Sequence, residues 1–195
     1  MRYLSIDIEA TGLNEKDYII EFAMVPVCTD TNTVEKSLGF HRFVKCPTFE
    51  ELRPNLDEWV INHNKDLIIK ANQTGVELNT FKKDIEYFLN KIEIREFFNY
   101  PDHKIIILGK SLNAIDLPFL NRDLGWHFMR THFHHQVLDV SSVVFKMIDN
   151  NQIPIECKSG SYLSSYLNLG DVDHTALEDA IKTAEIYLKL LEISG

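Results

Sequence analysis

Four consecutive aliphatic residues, Ile105-Ile106-Ile107-Leu108, constrain the fold of this chain more than any other feature. Side chains alternate between the two faces of a strand, so an unbroken aliphatic run needs apolar cover on both, as in the parallel part of a mixed sheet. A strand is therefore expected over 104–109 and a second buried one over 137–140. Ahead of them, residues 3–8, 19–30 and 34–44 read as strands of an antiparallel meander, with turn chemistry at 11–14 and 29–33. One or two short helices are expected over 57–72 and a longer one over 80–98, where Phe81, Ile85, Phe88, Leu89 and Ile92 form an apolar stripe at helical spacing. Further helices are expected over 119–124, 141–148, 161–167 and 175–193. Strands first and alternating units later imply an α/β chain, a mixed β-sheet flanked by helices. Without a repeat, a low-complexity segment or a Pro/Gly/Ser-rich linker, residues 1–195 read as one domain.

The formal charge of -9 argues against a broad basic face for long duplex nucleic acid, because phosphate neutralisation needs clustered Lys and Arg. A short or single-stranded substrate is compatible with it, since carboxylates gathered around divalent cations count as net charge only while the cations are left out. Cys28, Cys46 and Cys157 are odd in number and lack paired spacing, which suggests neither a disulfide framework nor a zinc site. With no signal-peptide core and no apolar run near the ~18 residues needed to span a bilayer, a cytoplasmic chain without membrane contact is expected.

In Ser5-Ile6-Asp7-Ile8-Glu9 the two-residue period sends Ile6 and Ile8 to one face and Asp7 and Glu9 to the other. At an effective dielectric of 20, two such carboxylates repel by roughly 2.5 kcal/mol, so the pair needs either a solvated edge strand or a compensating cation. The Ala10-Thr11-Gly12-Leu13 turn that follows favours the cation, because small residues let a substrate approach the end of the strand. In the last helix, Glu178, Lys182, Glu185, Lys189 and Glu192 form one polar stripe. Asp179 is turned about 100° away, toward Ala176, Thr183, Ile186 and Leu190, where a carboxylate needs a metal or a basic partner. His174, five residues earlier, becomes a candidate base beside it. Asp116 stands near a helix start marked by Pro118, where capping and metal binding are both open readings. Four acids and a histidine suit two-metal phosphoryl chemistry, and hard oxygen ligands select Mg²⁺ or Mn²⁺ over zinc.

Three segments, Ser5-Ile-Asp-Ile-Glu-Ala-Thr-Gly-Leu13, Asn113-Ala-Ile-Asp-Leu-Pro-Phe-Leu120 and His174-Thr-Ala-Leu-Glu-Asp-Ala180, together resemble the exonuclease motifs of the DEDDh superfamily in order and spacing. The resemblance implies a ribonuclease H-like fold and a 3′-to-5′ exonuclease with two Mg²⁺ or Mn²⁺ ions. It implies that Asp7 bridges both ions, that Glu9 and Asp179 complete one and Asp116 supports the other, and that His174 takes the proton of the attacking water. It also implies that the backbone of Thr11, Gly12 and Leu13 holds the 3′-terminal nucleotide, with Leu13 against its base, and that nucleoside 5′-monophosphates are released. Leu56-Asp-Glu-Trp59 and Leu138-Asp-Val-Ser-Ser142 are similar to oligoribonuclease segments, where the Trp stacks on a base and the Ser, here Ser141, contacts phosphate. Trp59, Ser141 and Asn113 of the second motif thus join the substrate-binding candidates. Short RNA is favoured by these segments, with a homodimer as a partner state. Single-stranded DNA stays open, because 116–120 and 160–170 look similar to DNA-trimming members.

Several residues have plainer readings. His132, His134 and His135 lack Cys partners and helical spacing, so a solvated loop is expected there in preference to a metal site. Trp59 fits the core as well as a stacking platform. Tyr162, Leu163, Tyr166 and Leu167 read as core. A catalytically silent nucleic-acid-binding scaffold is the rival from another class. A dinucleotide enzyme is disfavoured by the missing Gly-rich loop after the first strand.

Overall fold

The structure is a computed structural model that describes residues 1–170 and 175–194. Its strands are β1 (Arg2–Ala10), β2 (Ile19–Cys28), β3 (Thr33–Val34), β4 (Phe40–Phe43), β5 (Ile107–Gly109) and β6 (Leu138–Asp139). Its helices are α1 (Phe49–Leu52), α2 (Glu58–His63), α3 (Lys65–Thr74), α4 (Leu78–Leu89), α5 (Ile92–Phe98), α6 (Asp116–Asp123), α7 (Trp126–His132), α8 (Val140–Asp149), α9 (Gly160–Tyr166) and α10 (Ala176–Ser194). The sheet runs β3-β2-β1-β5-β6 with β4 also on β2; β1 is antiparallel to β2 and parallel to β5, which is parallel to β6. This is the mixed sheet flanked by helices that the aliphatic run predicts.

Both faces are covered. Leu4, Ile6 and Ile8 of β1 join Ile105, Ile107 and the apolar sides of α4, α6 and α7 in one core. Tyr3 and Leu108 face the other way, into a core with α8, α9 and α10. All of β2 is buried. Ile105, Ile107 and Leu108 are at most 1% exposed and Ile106 is partly buried, so the run has cover on both sides. The strand expected over 104–109 is shortened to Ile107–Gly109, with Ile105 in an isolated bridge to Phe133. Its central position keeps β1 off the sheet edge, which removes the solvated-edge reading of Asp7 and Glu9.

Two further boundaries differ from the sequence reading for identifiable reasons. The expected strand over 34–44 is split into β3 and β4, with a 3₁₀ turn at Lys36–Leu38 between them. Pro26 accounts for the split: its carbonyl accepts the Glu35 N–H, but it has no N–H to return, so the ladder cannot continue past it. The expected helix over 80–98 is likewise two helices, and Ile92 is exposed instead of extending the stripe. Ile94 and Phe98 lie off the phase set by Phe81, Ile85 and Phe88, and the chain breaks at Asn90-Lys91 to bury both sets. Helices α1 and α7 fall outside the predicted set; α1 is a single turn closed by a Thr48–Glu51 capping box.

Candidate active site

β1 runs on for five residues past its last pairing with β5, from Ile6 to Ala10, and the site is built on that overhang. β5 stops at Gly109, where a Cβ would lie 2.3 Å from the Leu112 side chain, and its last pairing with β1 is Ser5 with Leu108. The Ile8 N–H, freed from the ladder, is taken by Asp116 Oδ1 at 3.2 Å. Asp116 is the first residue of α6 and 4% exposed, so its side chain reaches across to β1 and does not serve as the helix cap. On the opposite face Ser5 Oγ donates to the Ala180 carbonyl at 2.7 Å and Tyr3 meets Tyr187 edge to face at 5.7 Å, which lays α10 along β1. Ala176, Ala180 and Ala184 are fully buried in the contact. That close approach brings Asp179 to Asp7 and Glu9: one carboxylate oxygen from each lies within 4.8 Å of the others. The neighbouring Glu178 exchanges bonds with Thr175 as a helix cap and takes no part in the trio.

The site gathers carboxylates close enough to raise one another's pKa. Burial, then Asp116, Glu9, Asp179 and Glu21, pushes Asp7 well above the usual carboxylate range. Glu9 is raised to about 7, first by burial and then by Asp179, Glu21 and Asp116. Asp116 is also raised to about 7 by burial, against the opposing pull of its own and the Ile8 amides. No Lys or Arg pairs with Asp7, Glu9 or Asp116 among the described residues. A set of partly buried, mutually repelling carboxylate oxygens, with Asp116 buried behind them, fits hard divalent cations such as Mg²⁺ or Mn²⁺. Beside it opens a cavity of about 570 Å³ lined by Asp7, Asp179, Lys110, Ser111, Ser161 and Lys182, among others.

The remaining candidates take varied positions. Thr11 is buried, Gly12 half-buried and Leu13 73% exposed at the end of β1. Asn113 is exposed on the loop before Asp116, and Ser141 Oγ lies 3.2 Å from the Oγ of Ser111, which lines the cavity. Trp59 is exposed and stacked on His63 at 4.5 Å, so it is not core. His174 lies outside the described residues. Among the decoys, His132 is no solvated residue: it is buried, with Nδ1 2.5 Å from the Tyr100 hydroxyl. His134 and His135 stack on each other at 4.4 Å. Leu163 and Leu167 are core as expected, whereas Tyr162 and Tyr166 are exposed and leave that set.

Two residues that position the site were not singled out from the sequence. Glu21, 1% exposed and paired in register with Glu9, lies 2.5 Å from His41 Nε2 and accepts the Ala176 N–H at 3.3 Å, at the start of α10. Its signal was a lone acid in the apolar run Ile19–Cys28. Asp139 accepts the amides of Ser111, Leu112 and Ser141 at 2.9–3.0 Å and so shapes the loop leading to Asp116. It holds Ser111 in the left-handed region at φ 57°.

Residues 4–187 match the model of the RNase_T exonuclease family. No curated protein sequence matches the chain significantly. Among solved structures, the nuclease domain of 3′hExo, described as a DEDDh family member bound to rAMP, superposes with a TM-score of 0.68 at 17% identity, over 98% of this chain and 92% of its own. Cell-death related nuclease 4 gives 0.70 at 14% identity, over 98% of this chain and 64% of its own. An exonuclease I from Methylocaldum szegediense gives 0.63 at 15%, over 98% and 40%. At these identities the likeness is one of fold.

Proposed function

Because this chain belongs to the RNase_T exonuclease family, we propose that it degrades single-stranded nucleic acid from the 3′ end, short RNA ahead of DNA, and releases nucleoside 5′-monophosphates. The observation that carries this reading is the convergence of Asp7, Glu9 and Asp179 within 4.8 Å at the end of β1, with Asp116 bonded to the same strand. These four carboxylates would hold the two Mg²⁺ or Mn²⁺ ions. When bound, such ions supply an activated water and stabilise the departing oxygen. Exposed Leu13 offers an apolar face to the terminal base, and the backbone of Thr11 and Gly12 lies beside it. Asn113 and Ser141 are the proposed contacts for the strand behind that nucleotide. His174 is assigned the proton of the attacking water on its motif alone. The lean toward RNA rests on the likeness of 56–59 and 138–142 to oligoribonuclease segments, and the exposed ring of Trp59 suits base stacking on either polymer.

The test is to incubate 5′-labelled RNA and DNA oligomers with the protein in Mg²⁺ or Mn²⁺, beside Asp7→Ala. A ladder shortening from the 3′ end, faster on RNA and absent with Asp7→Ala, is expected. Bound but intact oligomers would instead support a silent scaffold, and faster loss of DNA would reverse the substrate order.

A further inference from the structure

The loop between β1 and β2 carries Leu13 far out of the fold, yet it is tied down by one acid of its own. Asp17 Oδ2 accepts the Asn14 N–H at 2.7 Å, and Oδ1 accepts the Thr11 hydroxyl at 3.2 Å. The Thr11 hydroxyl in turn accepts the Tyr18 N–H at 2.9 Å, and the Thr11 N–H donates to the Tyr18 carbonyl at 2.9 Å. The Asp17 carboxylate also fills the space above Gly12: a Cβ there would lie 2.4 Å from Oδ2. Asp17 therefore contacts the residues on both sides of Leu13 and the one before them.

A second tie comes from outside the loop. Arg122 Nη1 donates to the Glu15 carbonyl at 2.6 Å, while its Nε and Nη2 are held by both oxygens of Asp123 at 2.5 and 2.7 Å. Arg122 lies on α6, the helix that begins with Asp116. The loop that presents Leu13 is thus joined to the element that presents one of the site's carboxylates.

We propose that Asp17, assisted by Arg122, is a positioning residue that presets Thr11, Gly12 and Leu13 for the terminal nucleoside. This rests on the function proposed above. An exposed leucine on an untied loop would lose conformational entropy each time a base docked on it, and a loop already ordered avoids that loss on binding. Asp17 has no direct role in bond cleavage, so its removal weakens binding of the terminal nucleotide more than it slows the bound complex.

The test compares Asp17→Ala, Asp17→Asn, Leu13→Ala and the double variant Asp17→Ala/Leu13→Ala by KM and kcat on a short oligomer, by the Kd for adenosine 5′-monophosphate, and by amide exchange at Gly12–Asn14. Asp17→Ala is expected to raise KM and Kd about tenfold, with a smaller change in kcat, and to speed exchange at these amides. Asp17→Asn, which keeps one carbonyl acceptor, should recover part of the loss. Because Asp17 acts through Leu13, the double variant should lose less than the product of the two single losses. Losses that multiply, or exchange unchanged in Asp17→Ala, would overturn the proposal. Absence of turnover in the unsubstituted protein would count against the proposed function, and the exchange comparison would still decide whether Asp17 holds the loop.

Discussion

At the scale of single residues, the site is defined by carboxylates held where their charge is costly. Glu9 and Asp116 are both raised to about 7, with burial the largest cause in each and neighbouring carboxylates adding to it. A carboxyl whose folded pKa lies above its unfolded one binds more protons when folded, so its stabilising share is complete below the unfolded value and is lost as pH rises through about 7. The metal-free protein should accordingly melt at a higher temperature at pH 5.5 than at pH 8. Mg²⁺ should raise the midpoint most above pH 7, because the ligands must be deprotonated to bind. Thermal unfolding with and without Mg²⁺ at the two pH values checks both, and an equal Mg²⁺ effect at each would count against these ligands. Asp116, from sequence equally a helix cap or a ligand, is not the N-cap of α6, and its carboxylate accepts the Ile8 N–H of β1. Asp116→Ala should therefore fold and lose more activity than the about 10–100-fold typical of a residue that only orients a metal ligand. A kinetic comparison at matched thermal stability decides it.

At the scale of elements, the contact of α10 on β1 sets the distance from Asp179 to Asp7 and Glu9. Ala176, Ala180 and Ala184 put only methyl groups between α10 and the sheet, and Ser5 bonds to the Ala180 carbonyl. Ala180→Leu would overpack it, with an expected cost of about 1–3 kcal/mol and a shift of the helix off the strand. Denaturant unfolding should show the first effect and calorimetric titration with Mn²⁺ the second, as weaker binding. Retained Mn²⁺ affinity in a destabilised variant would show that the carboxylates tolerate the shift. The helical phase that separates Asp179 from Glu178 was legible in sequence, because it follows from 3.6 residues per turn. The breaks inside 34–44 and 80–98 were not, because they depend on which residues the partner strand can pair and which face the core demands.

At the scale of the whole molecule, an acidic chain is expected to engage a polyanion at a confined site. Lys110 and Lys182 line the cavity beside the carboxylates, and Lys110 and Lys158 line a smaller one that adjoins it. If these three lysines supply most of the phosphate contacts, affinity for a single-stranded oligomer should fall with salt at a log–log slope of about −2. Binding isotherms between low and moderate salt at fixed Mg²⁺ measure that slope, and a much steeper one would require a basic surface elsewhere. The sequence by itself determined the class of sheet, the shared face of Asp7 and Glu9, and the phase of Asp179, all of which follow from local periodicity. Only the tertiary structure decided that Asp116 bonds to β1, that Glu21 holds the start of α10, that His132 is a core residue, and that Asp17 closes over Gly12. Each of these depends on contacts between segments that periodicity cannot relate, because burial and hydrogen-bond partners across the chain exist only once the sheet and its helices are assembled.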